Sequence, residues 1–322
     1  MTTDVAIIGS TGRNASAWTD AFVAEGYAVR NLVRHPRLLP NRPGVSYARL
    51  DLDDRSTYQT ALEGIDTLAL ITPVDPRQPK WEIGLIEAAK NTSVRRIIKL
   101  SVIGADFICP LSPFARWHAE IEDALRTSNI AHVILRPNFF MQNLLSQKDV
   151  IDAGTYTEPL GGASVSYVDV YDVADVAVVA ATGALDDQAL TLTGPENLNG
   201  DQIAALLSKA TGRTVHFVSP DLNTFRATLL SHGMPEWHVA ALVELYSLVQ
   251  ARRGSYLGAI TSNIEEAAGQ SPRTFEDFVS DAFAIRRSGR LSFDWQAPRR
   301  FFRQLLRDRS DGPVRWPVAF RL

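Results

Sequence analysis

Short runs rich in Val, Ile and Leu alternate with longer stretches of helical periodicity through the first half of the chain. The runs are Val5–Ile8, Ala28–Val33, Val45–Leu50, Thr67–Ile71, Ile97–Leu100 and His132–Leu135. Between them, Asn14–Glu25, Ser56–Leu62, Lys80–Lys90 and Phe114–Thr127 carry apolar residues at helical spacing. Strands of this length separated by amphipathic helices predict βαβ units and a parallel sheet covered on both faces. Right-handed crossovers then favour a doubly wound α/β arrangement.

The rhythm changes after Phe139. Asp152-Ala-Gly154 and Leu160-Gly-Gly162 are turn signals, followed by an expected strand at Val165–Val168. Asp172 is placed to cap a small-residue helix over Val173–Thr182. Leu190–Thr193 reads as another strand, and Asn199 as the cap of a helix from Gly200 to Ala210 that closes at Gly212. Val215–Val218 is a further strand, and residues 221–268 are mostly helical, with Trp237, Leu242, Leu245, Tyr246 and Val249 on one apolar face. The expected organisation is a nucleotide-type domain over residues 1–150, to which 164–195 return. A smaller, mostly helical lobe follows over 196–284, and a tail over 285–322.

Composition narrows the class. The chain has 322 residues, 45% of them hydrophobic, which excludes wholesale disorder. No apolar run reaches the roughly 20 residues that span a bilayer, so no membrane partner is expected. The start, Met1-Thr2-Thr3-Asp4, has no basic region before its first apolar run, so no secretory signal is expected. With Cys109 the single cysteine, the reading is a cytoplasmic protein without a disulfide framework. The net charge of −3 hides an asymmetry. Residues 285–322 hold ten Arg and three Asp, a net +7 that leaves −10 on residues 1–284. Phe301, Phe302, Leu305 and Leu306 fall on one helical face of that tail, with Arg around them. The favoured reading is a helix docking on the acidic body or on a second subunit, hence a homodimer or a tail-mediated protein contact. Nucleic-acid or membrane-surface binding is the lesser alternative.

The chemistry starts at the N-terminus. Val5-Ala-Ile-Ile-Gly9-Ser10-Thr11-Gly12-Arg13-Asn14-Ala15 runs from a strand through a glycine turn into a helix. Gly9 permits the turn, Gly12 admits a pyrophosphate to the helix N-terminus, and Ala15 fits between helix and strand. This context points to a dinucleotide. NAD sites place an acid at the end of the second strand, and NADP sites a cation. Tyr27–His35 contains no acid, whereas Arg34 and Arg13 can reach a 2′-phosphate, so NADP(H) is preferred over NAD(H). Asp51 and Leu52 close the third strand where an adenine would lie; a plain turn role for Asp51 stands equally open.

These residues resemble the NmrA-like branch of the atypical short-chain dehydrogenases/reductases. The resemblance is carried by Gly9-Ser-Thr-Gly12-Arg-Asn-Ala, Asp51-Leu-Asp-Asp54 and Ala88-Ala-Lys-Asn-Thr-Ser-Val-Arg-Arg-Ile-Ile-Lys-Leu-Ser101. It continues through His118-Ala-Glu-Ile-Glu122, Ile134-Leu-Arg-Pro-Asn-Phe-Phe-Met-Gln-Asn143, Asp172-Val-Ala174 and Leu192-Thr-Gly-Pro-Glu196. It runs from about Val5 to about Val279; the Arg-rich tail has no counterpart. The resemblance implies an NAD(P)-binding Rossmann domain with a small C-terminal substrate lobe. Family members include quinone, triphenylmethane and azo-dye reductases and benzylic-ether-type reductases, and also co-regulators that bind the dinucleotide without catalysis.

Ordinary members of the wider superfamily carry Ser and then Tyr-x-x-x-Lys. Here Ser101 ends the fifth strand, but Ser112–Glu122 contains neither Tyr nor Lys. In the benzylic-ether-type reductases a Lys near the start of this helix serves the chemistry, and alignment back from Ile134-Leu-Arg-Pro puts His118 there. An imidazole can donate a proton or hydrogen-bond a carbonyl; packing beside the nicotinamide is the competing reading. Thr72-Pro73 and Ser101-Val102 are expected to border the nicotinamide ribose, with Asn138 and Phe139 at the carboxyl edge of strand six. Phe107, Trp117, Phe139, Phe140, Met141 and Trp237 are the candidates for an aromatic substrate pocket. The remaining histidines have no ligand spacing, so no metal is expected. The favoured function is an NADP(H)-dependent reductase of a hydrophobic aromatic carbonyl or quinone-like small molecule. A non-catalytic NADP(H)-sensing regulator and a tailoring reductase of a larger secondary metabolite are the alternatives.

Overall fold

The apolar runs of the first half are strands and the periodic stretches are helices. The computed structural model describes residues 4–9, 12–108, 111–251 and 255–283. The elements are β1 (Asp4–Ile8), α1 (Arg13–Ala24), β2 (Ala28–Val33), β3 (Val45–Arg49), α2 (Tyr58–Leu62), β4 (Thr67–Leu70), α3 (Gln78–Ala89), β5 (Arg96–Leu100), α4 (Pro113–Arg126) and β6 (Ala131–Pro137). They continue as α5 (Lys148–Asp152), β7 (Thr155–Thr157), β8 (Ser164–Val165), α6 (Val170–Ala181), β9 (Gln188–Leu192), β10 (Leu198–Asn199) and α7 (Gly200–Thr211). The last are β11 (His216–Val218), α8 (Leu222–Ser231), α9 (Glu236–Gln250), α10 (Asn263–Ala268) and α11 (Phe275–Phe283). Ser10, Thr11, Cys109 and the tail at 285–322 lie outside the described residues.

Seven strands form one parallel sheet in the order β3-β2-β1-β4-β5-β6-β9. The chain steps outward from β1 to β3 and returns across β1 to lay down β4, so Val5 pairs with Val29 on one side and Thr67 on the other. This reversal is the switch point at which a doubly wound Rossmann sheet opens a crevice beyond its carboxyl ends. The period-two alternation of strand side chains fills two cores. Val5, Ile7, Ala69 and Ile98 meet Trp18 and Phe22 of α1 and the Val/Ala face of α6. Ala6, Ile8, Leu68 and Ile97 meet Leu85 of α3 and Ile121 of α4 on the other face.

The lobe has its own core, in which Ile151, Tyr156, Val165, Tyr167, Leu207, Phe275 and Val279 are buried together. It also contains two-stranded pairings, β8 with β10 and β7 with β11. α7 follows its sequence signals closely. Asn199 and Gln202 exchange side-chain bonds of 2.9 Å as a capping box, and Gly212 ends the helix at φ +66°. α10 turns back to the sheet layer, where Ile264 packs against the α6 core.

Two local expectations are corrected. α6 begins at Val170, because Asp169 and not Asp172 is its cap and accepts from the Tyr171 amide at 2.8 Å. Asp172 lies inside the first turn, buried, and accepts from the Arg273 amide at 2.9 Å while pairing with its guanidinium. The expected strand at Val165–Val168 pairs only through β8 and a single bridge from Val168 to Phe140. Ser166 between them donates its amide to Leu257 O (2.8 Å) and its hydroxyl to Ala259 O (2.6 Å). Those bonds stitch the segment to the turn after α9 instead of continuing a ladder.

Gly194, which follows β9 on the way to the lobe, is packed on that segment: a Cβ there would lie 2.0 Å from Tyr167 O. Gly194→Ala is therefore expected to lower stability by about 1–3 kcal/mol through overpacking. A urea denaturation midpoint equal to wild type would show that the Tyr167 backbone yields freely.

Candidate functional site

β1, β4, β5 and β6 end at one edge of the sheet, and the loops that follow them line a single cavity of about 770 Å³. The floor is built by Gly9, Gly12, Thr72, Pro73, Ser101 and Val102. α4 contributes Ala115 and His118, the loop after β6 contributes Asn138, Phe139 and Phe140, and α9 closes the far side with Trp237, His238 and Leu242. The crevice of a doubly wound sheet is thus roofed by the lobe, as expected of a ligand site in this architecture.

The floor suits a dinucleotide. Gly9 has φ +74°, and a Cβ there would meet Ile71 O at 3.4 Å in a backbone conformation that side chains avoid. Among the described residues no side chain caps α1 and its first turn holds no acid, so its amide groups remain for an anionic ligand. Asn14 lines the cavity, and its buried Oδ1 has no partner among the described residues. Arg13 also lines it and donates to Gln142 O at 2.7 Å.

Six of the described sequence candidates are not among the lining residues. Arg34, half-exposed after β2, pairs with Asp51 (3.5 Å) and Asp53 (3.8 Å). Asp51 also accepts the Asp53 amide at 3.2 Å, the turn role left open for it, and Leu52 O accepts from Tyr58 at 2.7 Å. The two arginines read together as a 2′-phosphate clamp therefore engage different partners. Phe107 is 55% exposed and edge-on to Tyr256. Trp117 supports the wall from behind, against Phe114 and Trp237. Met141 is buried in the lobe core.

Two ionic clusters lie beneath the floor, and neither was read from the sequence. Lys99 of β5 and Glu82 of α3 pair at 2.7 Å with no solvent exposure, and Glu82 accepts from Gln78 (3.0 Å) and from the Thr72 hydroxyl. Glu122 of α4 accepts from Ser101 (2.5 Å), from Arg136 (3.0 and 2.6 Å) and from Arg126 (2.7 Å). Burial pushes the Glu122 carboxyl up, but its bonds to Arg136 and Ser101 outweigh that and hold it below the usual range. The hydroxyls of Thr72 and Ser101 are thereby fixed. The available signal was a cation inside each of two strands otherwise buried on both faces, which requires a buried anion.

His118 is 6% exposed, and its Nδ1 has no partner among the described residues. Burial, and then the Lys99 ammonium, hold it well below its ordinary value of 6.5. At neutral pH it is an uncharged imidazole that offers a hydrogen bond, not a stored proton. Asn138 lines the cavity, but its amide is fully engaged. Nδ2 donates to Ser166 Oγ (2.8 Å) and Leu257 O (2.7 Å), and Oδ1 accepts the Phe139 amide (2.9 Å). Deeper in the lobe, Glu158 accepts from Tyr156, from Tyr167 (2.7 Å) and from the cavity-lining Tyr246 (2.8 Å), and burial pushes its carboxyl up. Among the described residues no group of three or more His, Cys, Asp or Glu side chains can hold a metal ion, and no helix is long and apolar enough to cross a membrane.

The state of His118 predicts a pH effect on stability. The folded state depresses its pKa, so the unfolded chain binds more protons as pH falls below about 6.5, and stability present above that value is lost. His118→Gln is expected to flatten the fall in urea midpoint between about pH 7.5 and pH 5.5 relative to wild type. Equal slopes would mean that the imidazole is solvated.

Comparison with known proteins supplies the family. The NmrA-like family model matches residues 1–279. The NAD(P)H azoreductase of Xenophilus azovorans is 36% identical over 243 residues, covering 74% of this chain and 83% of that protein. The (4-alkanoyl-5-oxo-2,5-dihydrofuran-3-yl)methyl phosphate reductase of Streptomyces griseus is 31% identical over 276 residues, 85% of this chain and 94% of that protein. Among solved structures, the NADPH-dependent quinone oxidoreductase of Escherichia coli complexed with NADPH superposes with a TM-score of 0.76 at 25% identity, over 87% of this chain and 99% of that one. With a glycine-floored cleft on a seven-stranded parallel sheet and a family match along most of its length, the chain belongs to the NmrA-like family.

Proposed function

We propose that this protein is an NADP(H)-dependent reductase that delivers hydride to a hydrophobic aromatic carbonyl or quinone-like molecule, acting in the cytoplasm. That it is an oxidoreductase follows from the reductases among its relatives. The observation that carries the finer reading is the continuity of the cavity, which runs from the glycine floor past His118 into an apolar chamber. A sensor would need the nucleotide cleft but no acceptor-sized chamber. The chamber therefore favours catalysis over the regulator.

When bound, the dinucleotide supplies the hydride. Gly9, Gly12 and the start of α1 hold its pyrophosphate, with Arg13 and Asn14 beside it. Thr72, Pro73, Ser101 and Val102 border the nicotinamide ribose, their hydroxyls immobilised by Glu82 and Glu122. Phe139 and Phe140 flank the ring of the acceptor. His118, neutral and buried, donates a hydrogen bond to the acceptor atom that gains electron density. A quinone needs no stronger acid, because its reduced anion is stable enough to be protonated by water on release. Rate then comes from holding donor and acceptor in register and from excluding water.

Arg34 gives the NADP(H) preference, its partners Asp51 and Asp53 aiming it from the end of β2. Calorimetry with NADPH and NADH, and NADPH oxidation followed by absorbance over a panel of quinones and aromatic ketones, test the reading. Tight NADPH binding with turnover is expected; binding of neither nucleotide would sink it. Arg34→Glu is expected to raise the KM for NADPH by about tenfold or more, the worth of one charge-assisted contact, with little change for NADH. An unaltered NADPH/NADH preference would remove Arg34 from the site.

A further inference from the structure

Among the described residues, six buried side-chain polar atoms have no hydrogen-bond partner. Four of them belong to residues lining the one cavity: Asn14 Oδ1, His118 Nδ1, His238 Nε2 and the Tyr256 hydroxyl. Of the other two, Glu82 Oε2 has Lys99 Nζ at 2.7 Å, and Trp18 lies in the sheet core. Orphaned polar atoms are rare in folded proteins, because a buried donor or acceptor without a partner has lost its hydration for nothing in return. The residues that carry these four atoms meet around one cavity. Asn14 and His118 sit on the sheet side. His238 and Tyr256 belong to the lobe.

We infer that His238 and Tyr256 are the polar anchors of the substrate half of the cavity, and that they select uncharged flat acceptors bearing a hydrogen-bonding atom away from the reacting end. This deepens the reductase reading and rests on it.

Both side chains are held in place. His238 is buried, stacked on Trp237 at 4.8 Å with 7° between ring planes, and edge-on to Phe114. The Tyr256 ring stands edge-on to Phe107 at 5.1 Å and comes so near Gly104 that a Cβ there would lie 3.3 Å from it. Its neighbour Leu257 is fastened through its carbonyl by Asn138 Nδ2 (2.7 Å) and the Ser166 amide (2.8 Å), which fixes the turn. Charge excludes the other acceptor classes. Burial holds His238 below its ordinary value and pushes Tyr256 up to about 12, so both are neutral around pH 7. Among the described lining residues, the Asp, Glu, Lys and Arg side chains are those of Arg13, at the start of α1, and Asp75, after β4. A sulfonate or ammonium pressed against the apolar side chains of Met234, Trp237 and Leu242 would lose its hydration.

The test is equilibrium binding of naphthoquinone and naphthoquinone sulfonate to the full chain, by calorimetry, with and without NADP+, so that no turnover intervenes. The neutral compound is expected to bind about tenfold or more tightly than its sulfonate. Tyr256→Phe and His238→Phe, which keep the rings and the Trp237 stack, are each expected to weaken the neutral compound by about 3- to 10-fold and to leave NADP+ affinity unchanged. Equal binding of the sulfonate, wild-type affinity in both variants, or no binding of the neutral compound would each overturn the assignment. Failure of NADP+ to bind would instead remove the reductase reading, while the titrations without NADP+ would still decide the anchors.

Discussion

A lysine with no solvent exposure in the middle of a parallel sheet must find a carboxylate, and the site of this protein is built on that requirement. Lys99 meets Glu82 across the β5–α3 layer, and one strand further on Arg136 meets Glu122 across β6 and α4. Buried ion pairs add little net stability, because desolvation offsets the attraction, yet removing one partner costs about 3–5 kcal/mol. Their effect here is positional. Glu82 takes the Thr72 hydroxyl and Glu122 takes the Ser101 hydroxyl, so the two polar residues at the ends of β4 and β5 have one orientation each. The Lys99 charge, after burial, also keeps His118 neutral.

The lobe is fastened to this rigid edge largely by hydrogen bonds. Asn138, at the end of β6, reaches both the 164–168 segment and the turn that bears Tyr256, and Ser166 bonds to the same turn. Glu158 gathers three tyrosine hydroxyls, one of them from α9. α8, α9 and the aromatic face of α4 then make a separate apolar cluster of Phe114, Leu229, Met234, Val239 and Leu242 over the chamber. The glycine-floored end of the cavity is thus set by the sheet and the chamber end by side chains from several segments distant in sequence.

That division explains what the sequence reveals. The parallel strands, the glycine turn and the Asn199–Gly212 helix are legible because their signals are local: apolar runs, a φ-permissive glycine and a cap. Asp172 misleads because Asp169 and Asp172 are both plausible caps three residues apart, and the choice is made by Arg273, about a hundred residues away. Strand periodicity at Val165–Val168 is overruled by Ser166, whose acceptors lie more than ninety residues on. Met141 and Phe139 are two residues apart and read alike, yet one is lobe core and the other cavity wall. His238 and Tyr256 carry no motif, and only the absence of side-chain partners among the described residues singles them out.

The missing Tyr-x-x-x-Lys pair then changes its meaning. A tyrosine acid is required where hydride arrives at a carbon whose oxygen must be protonated in the same step. An acceptor that delocalises the incoming electrons over a ring needs only a hydrogen bond at one end and a partner at the other. On the proposed reading the neutral His118 supplies the first and the lobe the second, while the ionic groups that act on His118 are buried below the floor. In such a site, loss of an acid residue narrows the range of acceptors more than it lowers the capacity for reduction.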